Sequence, residues 1–164
     1  MQELPRTLKI LTVYGLVATL LFLAFQWWFA QTRKPRFVTD AAGLSQIVLP
    51  RDRSGHYFWI GEINGKAVEF LVDTGAGQTA VSRDLAQDLG LIEDGSATFY
   101  TANGVVRGGL AMATISLQGG LRFERHRIAV LPQMERTGLL GMDVLGKLKL
   151  EQQGKELRIT PARP

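Results

Sequence analysis

The run FLVDTGAGQTAVS, Phe70 to Ser82, gathers the residues of this chain best suited to chemistry, and its letters admit two readings. From Gly75 the spacing is G-x-G-x-x-A behind an apolar segment, the outline of a turn that cradles a dinucleotide pyrophosphate. From Asp73 the same letters give an aspartate in a tight Asp-Thr-Gly turn at a strand end, where a carboxylate can exchange protons with water or a substrate. Other candidates are sparse. His56 and His126 lie far apart without clustered acids, a poor basis for a metal site. The lack of cysteine removes disulfides, thiolate ligands and a thiol nucleophile. Asp143 follows another glycine turn, Leu139-Leu140-Gly141, but Val-Leu comes after it, so it does not repeat the Asp-Thr-Gly motif. No cofactor or metal is called for.

The elements around the run decide between the readings. HYFWIGEI and KAVEFLV flank Asn64-Gly65, a dipeptide that favours positive φ, and predict an antiparallel hairpin whose second strand ends at Asp73. Ser82 is placed to cap a short helix, RDLAQDL, that Gly90 ends. Further hairpins are expected about Asn103-Gly104 and Gly119-Gly120, and a last one about Gln153-Gly154. A short helix is expected after Leu139-Leu140-Gly141. Trp59 and Phe70 read as core. A dinucleotide turn needs a helix that begins at once after its glycines, within a parallel βαβ unit. Here Gln78-Thr79-Ala80-Val81 lean towards strand, the cap comes only at Ser82, and the strand before the turn belongs to an antiparallel hairpin. The carboxylate reading fits better.

Hydrolysing a peptide with carboxyl groups takes two of them, one to accept a proton from water and one to polarise the carbonyl. This chain carries one such motif. The arrangement LVDTGAGQTAVS, a short helix, a TANG hairpin and LLGMDVL resembles the retropepsin-like aspartic proteases, in particular their membrane-anchored bacterial members, over roughly residues 56 to 160. The resemblance implies an all-β, closed half-barrel acid-protease fold with short helices. It also implies a homodimer that brings Asp73 opposite its own copy to act on a peptide or protein substrate. It further implies that Thr74 bonds across the dimer and that Gly75 and Ala76 shape the loop. Leu139, Leu140 and Gly141 would support that loop from behind, and Thr101, Ala102, Asn103, Gly104 and Val105 would form a flap over the substrate, with Tyr100 a neighbouring candidate for the cleft. Two positions depart from retroviral relatives: Gly77 stands where an acid is usual, and Met142 where an arginine supports that acid. A different class of function, a catalytically silent module that binds peptides or dimerises, is compatible with the same fold.

Residues 10–32 carry no charge and end near Trp27-Trp28-Phe29, which predicts a transmembrane helix after a tail over 1–9. A tether over 33–54 and the protease domain over 55–164 follow. Bases flank both sides of the apolar segment, and its place near the N-terminus favours a C-terminal domain outside the cytosol. The implied setting is a bacterial inner membrane crossed once, with a periplasmic domain. The net charge of +4 comes largely from those flanks and from scattered arginines such as Arg122, Arg125 and Arg127, which read as a solvated strand edge and not as a nucleic-acid surface.

Overall fold

The computed structural model describes residues 6–31, 35–39, 45–101, 104–132, 134 and 136–161, with the side chains of its first helix described over 10–26. The chain divides into two units, Met1–Lys34 and Pro35–Pro164. The first contains α1 (Arg6–Gln31), in which Thr19 returns its hydroxyl to the Gly15 carbonyl at 2.9 Å. The membrane span expected over 10–32 is not supported: among the described residues, no helix is long and apolar enough to cross a membrane. A run free of charge is not by itself a span. Thr12, Tyr14, Gly15, Thr19 and Gln26 interrupt the apolar run. The single-pass inner-membrane location inferred from that span is likewise not supported, and a membrane partner is not shown.

The second unit begins with β1 (Arg36–Thr39) and β2 (Ser45–Pro50), followed by β3 (Phe58–Ile63), β4 (Lys66–Val72), β5 (Ala80–Ser82) and α2 (Arg83–Leu89). Then come β6 (Glu93–Thr101), β7 (Gly104–Leu117), β8 (Leu121–Leu131), β9 (Gly138–Leu140), α3 (Met142–Leu145), β10 (Leu148–Gln153) and β11 (Glu156–Pro161). Strands β1 and β2 lie within the segment 33–54. Proline and charge mask the apolar core of β2, where Ile47, Val48 and Leu49 are buried and pair with Ile159, Arg158 and Leu157 of β11.

Local chemistry explains the hairpins. Asn64 and Gly65 take φ values of 50° and 80°, the left-handed pair that matches strand twist in a two-residue turn between β3 and β4. Helix α2 is capped at both ends: the Ser82 hydroxyl accepts the Leu85 N–H at 3.1 Å, and Gly90 adopts φ 69° and donates to Ala86 O and Gln87 O.

Strand order in the larger sheet is β3-β4-β9-β5-β8-β7-β6, and β7 also pairs with β3, so the sheet closes on itself as a barrel with β6 outside the ring. Closure pairs β3 with β7, so the ring itself has no open edge. A second sheet, β1-β2-β11-β10, supplies Ile47, Leu49, Leu157 and Ile159 to the same core as Trp59, Phe70, Ile115, Ile128 and Leu140. Each large side chain withdrawn from water there contributes roughly 1.5–3 kcal/mol. Trp59 is fully buried and satisfies its indole by donating to Gln118 O at 2.9 Å.

The barrel is not wholly antiparallel. Strand β9 slips between β4 and β5, parallel to the first (Leu71 beside Leu139, Val72 beside Leu140) and antiparallel to the second (Ala80 beside Leu139). The Leu139-Leu140 segment expected as an apolar turn is thus a strand of the barrel, and β5 runs parallel to β8.

Candidate active site

Asp73 follows the last residue of β4, and its turn is tied on both sides. Its N–H donates to Leu140 O on β9 at 3.1 Å, its Oδ1 accepts the Gly75 N–H at 2.8 Å, and its carbonyl accepts from Ala76 N at 3.3 Å. The aspartate thereby caps its own turn. The value of glycine at 75 lies in space: a Cβ there would sit 3.2 Å from Asp73 Oδ1, crowding the carboxylate. At Gly77 a Cβ would meet nothing within 4 Å, so the departure from the retroviral pattern leaves open room.

Asp73, Gly75, Ala76 and Gly77 line an open cleft of about 510 Å³, together with Thr101, Gly104 and Val105 of the β6–β7 hairpin. Val105 is 65 % exposed and Tyr100, also on the cleft, 86 %. Thr101 Oγ1 donates to Gly104 O at 2.8 Å, closing the hairpin end where Gly104 takes φ 109°. Ala102 and Asn103, expected in the same flap, lie outside the described residues. Thr74 is exposed, with no hydrogen-bond partner among the described residues. Phe99, Val106, Ala129, Leu131 and Met134 give the rest of the cleft an apolar character.

The second motif splits its duties. Leu139 is half-buried on the cleft, whereas Leu140 is fully buried behind it. Gly141 packs so closely on the loop that a Cβ would fall 2.5 Å from Gln78 C, 2.8 Å from Gln78 O and 2.8 Å from Thr79 N. Met142 then donates its N–H to Ala76 O at 2.8 Å, tying the two motifs together.

A polar group that the residue pattern did not bring out stands behind this loop. Asp143 accepts the Thr79 N–H at 3.0 Å, the Thr79 hydroxyl at 2.8 Å and His126 Nε2 at 2.8 Å. An ionised carboxylate only accepts, so the imidazole proton sits on Nε2. Burial pushes the Asp143 carboxyl up, but the His126 hydrogen bond, the Thr79 N–H and hydroxyl and the His126 charge outweigh it and hold the group below the usual carboxylate range. Asp143 does not line the cleft. His126 was hidden by a bulge: the β7–β8 register shifts between Ala113 and Ile115, where Arg125 takes φ 48° and one extra residue enters β8. Strict alternation from Phe123 points Arg125 inward, whereas the bulge turns His126 in and leaves Arg122, Arg125 and Arg127 exposed.

A closed barrel with an Asp-Thr-Gly loop on an apolar cleft, and a hairpin along the same cleft, defines the retropepsin-like class of aspartic protease folds. A family model described as "gag-polyprotein putative aspartyl protease" matches residues 60–147, more than half of the chain, and the chain belongs to that family. Among solved structures, it is similar to a retropepsin-like aspartic protease from Rickettsia conorii, with a TM-score of 0.58 and 23% identity, over 77% of this chain and 95% of that one. That likeness is one of fold. An uncharacterized protein in the cobV 5′ region of Sinorhizobium sp. is 30% identical over 128 residues, 74% of this chain and 54% of its own length. Uncharacterized protein RP867 of Rickettsia prowazekii is 29% identical over 119 residues, 71% of this chain and 51% of its own length. The chain thus spans about half the length of the curated relatives it matches.

Proposed function

We propose that the chain is an aspartic endopeptidase whose catalytic pair is Asp73 and its copy in a homodimer. The observation that carries this reading is a single Asp-Thr-Gly carboxylate on a peptide-sized cleft, with the chain's other candidate, Asp143, engaged by Thr79 and His126. In the dimer, two like charges close together do not both ionise, so the pair keeps one proton. The ionised Asp73 takes a proton from water as it attacks the carbonyl carbon, while the protonated copy donates to the carbonyl oxygen. The resulting diol collapses with proton transfer to the leaving amine, and the pair returns to its starting state. Thr74, exposed beside the carboxylate, is free to bond across the two-fold axis, and the apolar cleft wall favours substrates with apolar side chains flanking the cut bond.

The test uses the full chain, its dimeric state followed by sedimentation. Wild type is expected to cleave members of a peptide library at concentrations where it is dimeric, and Asp73→Asn to lose at least ~10²-fold of that rate. Equal rates would sink the dyad. A second reading, capture of a peptide strand without cutting, has one specific support: β6 ends the sheet order, so its outer edge faces no strand among the described residues. Peptide binding by a dimer that never cleaves would favour it.

A further inference from the structure

The cleft accounts for Asp73 but leaves the pair behind it, His126 and Asp143, without a task. The loop over 73–79 leaves the barrel at the end of β4 and re-enters at β5, and ties at three of its residues, Asp73, Ala76 and Thr79, fasten it to 140–143. Two are made by backbone: Asp73 N–H to Leu140 O, and Met142 N–H to Ala76 O. The third is made by a side chain, since the Asp143 carboxylate takes both the N–H and the hydroxyl of Thr79. Thr79 is fully buried, and its hydroxyl oxygen accepts the Gly141 N–H at 3.1 Å, so one threonine joins the loop to both the glycine and the aspartate of the second motif. Without the carboxylate, two buried donors of Thr79 would have no acceptor, and the loop would have reason to move.

The carboxylate is itself steered. His126, 12 % exposed, reaches it from β8 across the bulge, and its ring meets the edge of Phe123 at 6.2 Å between centroids. Lys147, just after α3, lies 5.2 Å over the Phe123 ring. His126 holds Oδ2, the Thr79 N–H lies 3.0 Å from both carboxylate oxygens, and Oδ1 also accepts the Thr79 hydroxyl and, at 3.0 Å, the Val144 N–H.

We propose that Asp143, oriented by His126, is a positioning residue that fixes the far end of the Asp73 loop through Thr79. Its catalytic consequence rests on the aspartic-protease reading; its structural consequence does not. Loosening the 79 end frees the loop to shift relative to β9, and two copies of Asp73 then meet less often in the reactive geometry, so kcat falls while KM changes little.

The experiment is amide hydrogen exchange by mass spectrometry on the full chain, comparing peptides over 73–82 with peptides over 148–161. Asp143→Asn retains the size of the side chain but replaces one of the two accepting oxygens with a donor amide and removes the negative charge. Exchange over 73–82 is expected to rise at least tenfold, with the β10–β11 hairpin within twofold of wild type. Thr79→Val is expected to loosen the same peptides and Thr79→Ser, which keeps the hydroxyl, to preserve them. In cleavage assays Asp143→Asn is expected to lower kcat about tenfold with KM within twofold. Loop exchange within twofold of wild type in Asp143→Asn would overturn the proposal. So would an equal rise in both regions, since the pair would then be a general stability element, or equal loosening by Thr79→Val and Thr79→Ser. The exchange readout needs no cleavage, so failure of the protease reading, signalled by Asp73→Asn, is distinguished from failure of this one.

Discussion

Replacing Gly141 by alanine adds one methyl group at the closest backbone contact between the two motifs. Gly141 has φ −93° and ψ 179°, extended backbone that any residue adopts, so alanine there meets no conformational penalty. The whole cost comes from contact. The new Cβ would sit 2.5 to 2.8 Å from Gln78 C, Gln78 O and Thr79 N, all backbone atoms that cannot rotate away. Overpacking of this kind costs about 1–3 kcal/mol, because relief requires backbone to move. Taking ~2 kcal/mol and a urea slope of ~2 kcal/mol/M, the unfolding midpoint falls by about 1 M at unchanged slope. Gly77→Ala is the internal control: its Cβ meets nothing within 4 Å and its backbone is not left-handed. It should match wild type or gain up to ~1 kcal/mol, since the unfolded chain loses freedom. Urea unfolding of both full-length variants, followed by near-ultraviolet circular dichroism of the buried Trp59, measures the contrast. If Gly141→Ala unfolds within about 0.2 M of wild type, or the two variants suffer alike, the close approach described between Gly141 and the loop is wrong.

Ser82→Ala removes the hydroxyl that caps α2 and should cost about 1 kcal/mol, read as a lower thermal midpoint, with Ser82→Asp or Ser82→Asn recovering most of it. The Asp143 carboxyl titrates below its unfolded value, so its stabilising contribution is fully present above about pH 4 and is lost as pH falls through the folded value. The difference in urea midpoint between wild type and Asp143→Asn should therefore hold steady near pH 5 and narrow as pH falls below about 4. A gap that widens on acidification would contradict the assigned direction.

Elements fixed by their own few residues were legible before any coordinates. Asn64-Gly65 can satisfy a two-residue hairpin because its positive φ demand is local, and Ser82 and Gly90 mark α2 because caps act within one turn. The turn at Asp73 and Gly75 was legible too, because the bond between the carboxylate and the Gly75 N–H is local. What escaped depends on partners distant in sequence. The insertion of β9 beside β4, and the pairing of β2 with β11, are decided by contacts no window of neighbouring residues contains. The inward turn of His126 depends on a bulge that shifts strand parity at Arg125, a residue unremarkable among other arginines. The apolar N-terminal helix shows the opposite error, in which a charge-free run was given more meaning than the described helix supports.

The pairing of β2 with β11 also sets a schedule for synthesis. Ile47 lies beside Ile159, so the smaller sheet stays open until nearly all of the second unit has been made. Until then, the buried trio Ile47-Val48-Leu49 has a bare pairing edge, the kind of surface that chaperones shield and that aggregates recruit. Such non-local pairing makes folding slow, on a scale of milliseconds to seconds. Ribosome-bound chains halted before Glu156 should accordingly remain sensitive to added proteases across 45–50, and become resistant once β11 is exposed to solvent beyond the exit tunnel.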